Sequence, residues 1–191
     1  MKIISLYGNE NHLIKKSIKG DGQAQKQLYE RFAPKMLSVC RQYIKDLQFS
    51  EDVMIDGFVK VFNNLGSFEG KGSFEGWIRT TMVRECISFL RRKQFVVYDS
   101  EVYESQKYEA DKNLLAFDVE YVQRLIDGLP EGYRMVFLLY AVEGYKHHEI
   151  AEMLEISIGT SKSQLYKAKK MLQENLTLHG VVPSAKSSNQ K

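Results

Sequence analysis

Basic and polar side chains recur on one side of a helical pattern near the end of the chain. Between Gly159 and Gln173 the sequence carries four lysines and no acidic residue. Side chains of these types bind phosphate oxygens and base edges in duplex DNA. The candidates for DNA contact are Thr160, Lys162, Ser163, Gln164, Lys167 and Lys170. The alternative is an ordinary helical hairpin whose lysine face is only solvated.

Two short amphipathic patterns with a tight break between them would position these side chains. The first predicts a helix over residues 147–154 with a buried face of Ile150, Ala151 and Leu154. Ser157 should accept a hydrogen bond from the Thr160 amide and so cap the second helix. The inward stripe of that helix is Ser161, Leu165, Ala168 and Leu172. This is a helix-turn-helix pattern, whose second helix enters the major groove.

A second basic segment starts in a glycine-rich loop and continues along a predicted helix. Between Lys71 and Gln94 it has six basic and two acidic residues. Aromatic rings mixed with cations suit single-stranded nucleic acid, because bases stack on rings while Lys and Arg follow the backbone. Trp77 taken alone is better explained as a core anchor that pins the loop. The candidates in this segment are Phe68, Lys71, Trp77, Arg79, Arg84 and Arg91.

A further helical pattern, with Ser50 as its expected N-cap, has two unlike faces. Its core side comprises Met54, Phe58, Val61, Phe62 and Leu65. The opposite side combines two carboxylates with two aliphatic side chains: Asp52, Ile55, Asp56 and Val59. Because a solvated face would not normally pair these types, we expect a docking surface for a basic protein partner. An untidy exposed face is the alternative.

The composition is that of a soluble globular protein. Of 191 residues, 43% are hydrophobic and 27% are charged, and the net charge is +3. This charge is too small for a protein that merely coats nucleic acid, so DNA binding should be local or shared with a partner. Cys40 and Cys86 show no CxxC spacing, which favours reduced, buried thiols. We expect a cytoplasmic protein without a signal peptide and without membrane insertion.

The pattern predicts an all-α fold of two small helical domains. The first spans residues 10–94 and the second residues 119–176. Residues 95–118, with six acidic and two basic side chains, form an acidic linker, and a disordered tail follows over 177–191. In the second domain, Pro130 should lie in the first turn of a helix. The core face of that helix is expected to be Met135, Val136, Leu139 and Tyr140.

Nothing in the sequence has the spacing of a catalytic or metal centre. His147 and His148 are adjacent and diverge on a helix, so they make a poor metal pair. Cys40 and Cys86 have no evident histidine partner, and the glycines before Trp77 lack the spacing of a phosphate-binding loop. We therefore expect no enzyme activity, no catalytic residue, no metal and no cofactor.

The order and spacing of these motifs resemble the bacterial extracytoplasmic-function sigma factors, small members of the sigma-70 family. The similarity covers roughly Leu13 to Lys93 and Val119 to Leu176. LYERFAPKML, SEDVMIDGFVKVF and SFEGWIRTTMVRECISFLRR look like region 2 of that family. The stretch LPEGYRMVFLLYAVEGYKHHEIAEMLEISIGTSKSQLYKAKKML looks like region 4.

The resemblance implies a protein that binds core RNA polymerase and directs it to promoter DNA. It implies docking of the Asp52 and Asp56 helix on a coiled coil of the large polymerase subunit. It also implies that residues placed like Phe68, Lys71, Trp77, Arg79 and Arg84 open the minus ten element and hold a flipped base. Region 4 would read the minus thirty-five duplex through the helix beginning near Gly159. Whether an anti-sigma factor also binds is left open.

Several positions depart from the family pattern. Ile55 stands where glutamine is frequent, and Arg84 and Ser88 replace a common Asn and Asp. The second domain has three such positions: Lys146 at a helix cap, Glu155 for a turn glycine, and Ser161 for a buried valine. A left-handed backbone at a non-glycine residue costs roughly 1 kcal/mol, so this domain is expected to be marginally stable.

The main alternative function is a polymerase-independent transcription regulator. The same helix-turn-helix occurs in domains that bind operators as dimers. That alternative leaves the Asp52 and Asp56 face and the arginine-rich helix of the first domain without a role.

Overall fold

The computed structural model describes residues 6–97 and 119–178 of the chain. These residues form helices and connecting turns, with no strand among them. The prediction of an all-α fold is confirmed. The chain divides into two compact units, Met1–Asp99 and Ser100–Lys191.

The described part of the first unit, residues 6–97, contains four α-helices. They are α1 (Leu6–Ile18), α2 (Gly22–Tyr43), α3 (Leu47–Asn63) and α4 (Phe74–Val97), with a 3-10 turn at Leu65–Ser67. Asp21 caps α2, because its carboxylate accepts hydrogen bonds from the amides of Gln23 and Ala24 at 3.0 and 3.1 Å. Pro34 lies inside α2, which nevertheless continues to Tyr43.

Helix α3 begins one turn before the predicted start, so the expectation that Ser50 is its N-cap is wrong. The carboxylate of Asp46 accepts a hydrogen bond from the Phe49 amide at 3.0 Å and caps the helix. Ser50 is fully buried inside the helix. Its hydroxyl donates to the carbonyls of Ile44 and Asp46 at 2.8 and 2.7 Å, which ties α3 to the end of α2.

Helices α2, α3 and α4 pack on one another around the core of the first unit. Gly57 of α3 lies against Met82 of α4, and a Cβ at this glycine would overlap the methionine sulfur. Close to this contact, Lys60 Nζ of α3 lies 2.7 Å from Glu85 Oε1 of α4. The largest fully buried side chains of this unit are Leu28, Met36, Tyr43, Val61, Leu65, Phe74, Ile78, Met82 and Val83.

Four further α-helices lie in residues 119–178 of the second unit. They are α5 (Val119–Asp127), α6 (Glu131–Phe137), α7 (His147–Leu154) and α8 (Ile158–Leu178). Pro130 is the N-cap residue of α6, so it precedes the first turn in which it was expected. Helix α8 packs against both α6 and α7. The buried apolar side chains are Leu129, Met135, Val136, Leu138, Leu139, Ile150, Ala151, Leu165 and Ala168.

A π-helical turn at Leu138–Val142 follows α6 directly. A π turn contains one more residue than an α turn, so it rotates the side chains that follow. Leu138 and Leu139 are both buried, whereas Tyr140 is 39% exposed. The expectation that Tyr140 belongs to the core is therefore wrong.

Three helices extend beyond the predicted domain boundaries. Helix α1 begins at Leu6, four residues before position 10. Helix α4 runs to Val97, three residues past position 94, and α8 runs to Leu178. The rest of the predicted linker, 98–118, and of the predicted tail, 179–191, lies outside the described residues.

Candidate nucleic-acid and protein interfaces

The caps of α7 and α8 include the one that the sequence predicted. The Thr160 amide donates to Ser157 Oγ at 2.9 Å, which confirms Ser157 as the cap of α8. At the start of α7, the Lys146 amide donates to Glu149 Oε2 at 2.7 Å. The lysine side chain has no acceptor, so only the carboxylate half of a capping box forms. Glu155 ends α7 in the left-handed conformation, with φ 54° and ψ 42°.

A polar contact fastens the interior of this motif. Ser161 of α8 is fully buried, and its hydroxyl lies 2.9 Å from Nδ1 of His147 at the start of α7. The His147 ring also stacks on the Tyr140 ring, with ring centroids 4.8 Å apart. Lys169 Nζ lies 5.4 Å from the centroid of the Tyr140 ring. A buried hydroxyl needs a partner, and His147 supplies it.

Helix α8 presents one basic face to solvent. Four of the six predicted DNA contacts are exposed there: Lys162, Ser163, Lys167 and Lys170. Lys170 pairs with Glu174 at 3.8 Å across one turn of the helix. Both partners are largely exposed, so the pair is weak and leaves the ammonium available.

The other two predicted DNA contacts lie at the edge of this face. Thr160 is half-buried, and its hydroxyl lies 2.8 Å from Ser157 Oγ within the cap. Gln164 is also half-buried, and its amide lies against Gly132 of α6. Both side chains are therefore held by protein contacts.

Sequence reasoning missed Tyr166, which is 69% exposed on the same side of α8. It lies four residues after Lys162 and four before Lys170, and residues at this spacing share a helix face. The spacing was thus readable in the sequence. A tyrosine ring among lysines adds an apolar contact and a hydroxyl to the basic face.

The second basic segment lies along α4 and the loop before it. Arg84 is exposed, and Arg79 and Arg91 are half-buried. Lys71 Nζ lies 2.6 Å from Glu69 Oε2, but both side chains are mostly exposed. Such a surface pair contributes little, so Lys71 can exchange it for a phosphate oxygen.

An aromatic cluster pins the loop to the start of α4. Phe74 is buried at its centre, and Phe32 of α2 lies edge-on to it with centroids 5.6 Å apart. Phe68 and Trp77 contact Phe74 from the loop side, with centroids 5.1 and 5.9 Å away. Both are half-buried, so each ring is anchored and still partly accessible. This geometry favours Trp77 as an anchor and allows a base to stack against the cluster.

The face of α3 opposite the core is open. Ile55 and Val59 are 49% and 53% exposed. Asp52 and Asp56 lie beside them and are also exposed. No ion pair within residues 6–97 engages either carboxylate. All four predicted docking residues therefore share one surface that is apolar and negatively charged.

The two cysteines meet inside the first unit. Cys40 of α2 and Cys86 of α4 are free thiols without solvent exposure. A hydrogen bond with the Cys40 thiol raises the pKa of Cys86, and burial raises it further. Cys86 is therefore a protonated thiol at neutral pH. No cluster of His, Cys, Asp or Glu in the described ranges could hold a metal ion.

Two family models match this chain, one in each unit. Residues 28–96 match the family described as Sigma-70 region 2. Residues 120–172 match the family described as Sigma-70, region 4. This chain belongs to the sigma-70 family. The region 2 match of this sigma factor contains the α3 face and the aromatic cluster, and the region 4 match contains the basic face of α8.

Similar proteins place this sigma factor in the extracytoplasmic-function group. RNA polymerase sigma-H factor of Pseudomonas aeruginosa is 24% identical over 180 residues, covering 87% of this chain and 93% of that one. The extracytoplasmic-function sigma-E factor of Escherichia coli strain K12 is 25% identical over 177 residues, covering 86% and 92%. The protein is a sigma factor that directs transcription initiation. The sequence-based prediction of this function is confirmed.

Two solved structures share the fold of this sigma factor. RpoE of Bartonella quintana, in complex with the anti-sigma factor NepR, is 23% identical with a TM-score of 0.51. The alignment covers 80% of this chain and 96% of RpoE. CnrH, in complex with the cytosolic domain of CnrY, is 19% identical with a TM-score of 0.50, over 89% and 98% of the two chains. Within residues 6–97 and 119–178 this sigma factor has no helix long and apolar enough to cross a membrane.

Proposed function

We propose that this sigma factor binds core RNA polymerase through α3 and divides promoter recognition between its two units. The docking residues are Asp52, Ile55, Asp56 and Val59. The observation that supports this most directly is their joint exposure on one helix face, because aliphatic side chains exposed beside carboxylates fit a partner that is basic and partly apolar. The domain boundaries of the proposal are residues 10–94 for the first unit and 119–176 for the second.

The single strand of the minus ten element would bind beside α4. A base taken out of its stack loses a few kcal/mol, which stacking and cationic contacts must offset. Phe68 and Trp77 offer partly accessible rings for the base. Phosphate contacts come from the basic side chains of the loop and helix, which are Lys71, Arg79, Arg84 and Arg91. Arg84 stands where relatives often have asparagine, so the preferred sequence should differ from theirs.

The minus thirty-five duplex would bind α8. Lys162, Ser163, Lys167 and Lys170 supply the exposed contacts, and Thr160 and Gln164 supply contacts from the edge of the face. We add Tyr166, whose ring stands between the lysines. The N-terminal part of such a helix enters the major groove, where amide and ammonium groups meet base edges and the outer lysines meet phosphates.

Three further features complete the proposal. The protein acts by binding and not by catalysis, and it works in the cytoplasm together with RNA polymerase. An anti-sigma factor is a candidate partner, because two proteins of the same fold were solved in complexes, one with the anti-sigma factor NepR and one with the cytosolic domain of CnrY.

Charge reversal on α3 tests the docking assignment. Asp52→Lys and Asp56→Lys should each weaken binding to core RNA polymerase by about tenfold or more, because a removed charge leaves its partner unpaired. Promoter-dependent run-off transcription should fall in parallel. Both positions are exposed, so the fluorescence of Trp77 in the folded protein should not change.

The matched control is Glu30→Lys, a reversal at an exposed position of α2 outside the proposed surfaces. Its partner Lys26 is 3.7 Å away and largely exposed, so little stability is at stake. Polymerase binding should stay at the level of the unmodified protein. Equal binding by the control and by the double variant Asp52→Lys, Asp56→Lys would refute docking through α3.

A further inference from the structure

Two side chains of the proposed DNA face rest on the beginning of α6. A Cβ built on Gly132 would lie 3.3 Å from Gln164 Nε2, 3.6 Å from its Cδ and 3.7 Å from its Oε1. All three of its nearest neighbours thus belong to the amide group of Gln164. The next residue, Tyr133, lies beneath Lys167, whose Nζ is 5.7 Å from the ring centroid.

Gly132 serves no evident backbone purpose. It lies inside α6 and is not among the glycines with positive φ. A glycine inside a helix is less favourable than an alanine. What its missing side chain provides is space for the half-buried amide of Gln164. The amide of Gln164 therefore lies where a side chain at position 132 would crowd it.

The Tyr133 ring restricts the position of the Lys167 ammonium group. An ammonium within about 6 Å of a ring centroid is attracted to the ring face. This attraction narrows the range of positions that the exposed lysine samples. A side chain held near its bound position loses less entropy when DNA arrives.

We propose that Gly132 and Tyr133 are positioning residues that set the base preference of α8. The inference rests on the proposed contact between α8 and the minus thirty-five duplex, and it adds which neighbours orient the contacting groups. A glutamine amide forms two hydrogen bonds with N6 and N7 of adenine only in a narrow range of orientations. We therefore assign an adenine as the base that Gln164 reads.

The test measures binding of holoenzyme to promoter duplexes randomised across the minus thirty-five region. Gln164→Ala should lose discrimination at one base pair by roughly 5- to 100-fold. Gly132→Ala should alter discrimination at that same base pair, because the new methyl group displaces the amide. The double variant should behave like Gln164→Ala alone, because the glycine acts through the glutamine.

Two controls separate positioning from folding. Gly22→Ala changes a glycine at the start of α2 whose Cβ would meet nothing within 4 Å, and it should leave base preference unchanged. Tyr133→Leu should relax preference at the base pair nearest Lys167, whereas Tyr133→Phe keeps the ring and should retain that preference. Thermal unfolding of each variant shows that the second unit remains folded, which alanine in a helix favours.

Three other results would separate the base contact of Gln164, its positioning by Gly132 and the role of the Tyr133 ring. If Gln164→Ala leaves every preference unchanged, Gln164 does not contact bases, and both the proposed contact and its positioning by Gly132 are wrong. If Gln164→Ala changes a preference while Gly132→Ala behaves like Gly22→Ala, the contact stands and the positioning role of Gly132 is refuted. Equal effects of Tyr133→Leu and Tyr133→Phe would refute the role of the Tyr133 ring.

Discussion

Cys86 illustrates how burial fixes the chemical state of one residue. Its thiol is shielded by α2 and hydrogen-bonded to Cys40, and both effects raise its pKa. A thiolate is the reactive form of cysteine, so a protonated and buried thiol reacts slowly. The pair therefore contributes to packing between α2 and α4.

The raised pKa predicts a loss of stability in alkali. Below the pKa of the unfolded thiol, near pH 8.5, both states carry the proton and the free energy of unfolding is unaffected. Above about pH 9 only the unfolded thiol ionises, so that free energy should fall by about 1.4 kcal/mol per pH unit for this group. Urea titrations under reducing conditions, followed by the fluorescence of Trp77, measure the fall for the first unit.

Cys86→Ala isolates this thiol from other groups that titrate in the same range. The substitution removes a buried sulfur and lowers stability at every pH. The difference between the unmodified protein and the variant should shrink steadily from pH 9 to pH 10.5. A constant difference over this range would contradict the assignment.

The turn of the helix-turn-helix contains a residue with a strained backbone. Glu155 is the only non-glycine residue with positive φ in the described ranges. Most side chains are strained in this conformation, whereas glycine adopts it freely. The buried Ser161 and the lysine at the cap of α7 are the other departures in this element. The buried Ser161 hydroxyl has His147 as its hydrogen-bond partner. The strain at Glu155 comes from its own backbone conformation.

Glu155→Gly should stabilise α7 and α8 by about 1 kcal/mol, because the left-handed strain is relieved. Amide hydrogen exchange in these two helices should slow by roughly fivefold. Glu155→Ala keeps the strain and removes the carboxylate, so it controls for the loss of charge. Equal protection in the glycine and alanine variants would show that the backbone conformation is not the cause.

Local signals explain how much of each element the sequence could predict. The bounds of α7 and the Ser157 cap followed from polar caps next to apolar periodicity. The start of α3 did not, because Asp46 and Ser50 are both good capping residues and only the fold buries Ser50. Tyr140 was misplaced because a π turn interrupts the period on which the prediction relied. The contact of Gln164 with Gly132 joins two helices, so no local pattern could reveal it.

At the scale of the whole molecule, the small net charge of +3 conceals strong local differences. Lysines crowd α8, while the exposed side of α3 is acidic. On the proposed assignment each nucleic-acid surface alone would make few phosphate contacts, so binding to promoter DNA would depend on polymerase to hold both units in place. The uneven distribution of charge could be predicted from the sequence, because it needs no detail of packing. The division of DNA binding between the two units stays a prediction.

The free protein should therefore bind promoter duplex weakly. Four lysines of α8 can neutralise at most about four phosphates, which gives a slope of log K against log salt no steeper than about −4. Lys170→Ala, which removes an outer lysine of the face, should reduce this slope by about 0.9. Fluorescence anisotropy across a salt series measures both values. Nanomolar binding at physiological salt without polymerase would contradict the prediction.

The close contact between Gly57 and Met82 has a mechanical consequence for initiation. It leaves almost no room for α3 to slide over α4, and the ion pair between Lys60 and Glu85 resists their separation. If RNA polymerase docks on α3 as proposed, a displacement of α3 would be passed to α4 with little slack. The side chains of α4 that are proposed to bind the melted strand would then move together with RNA polymerase.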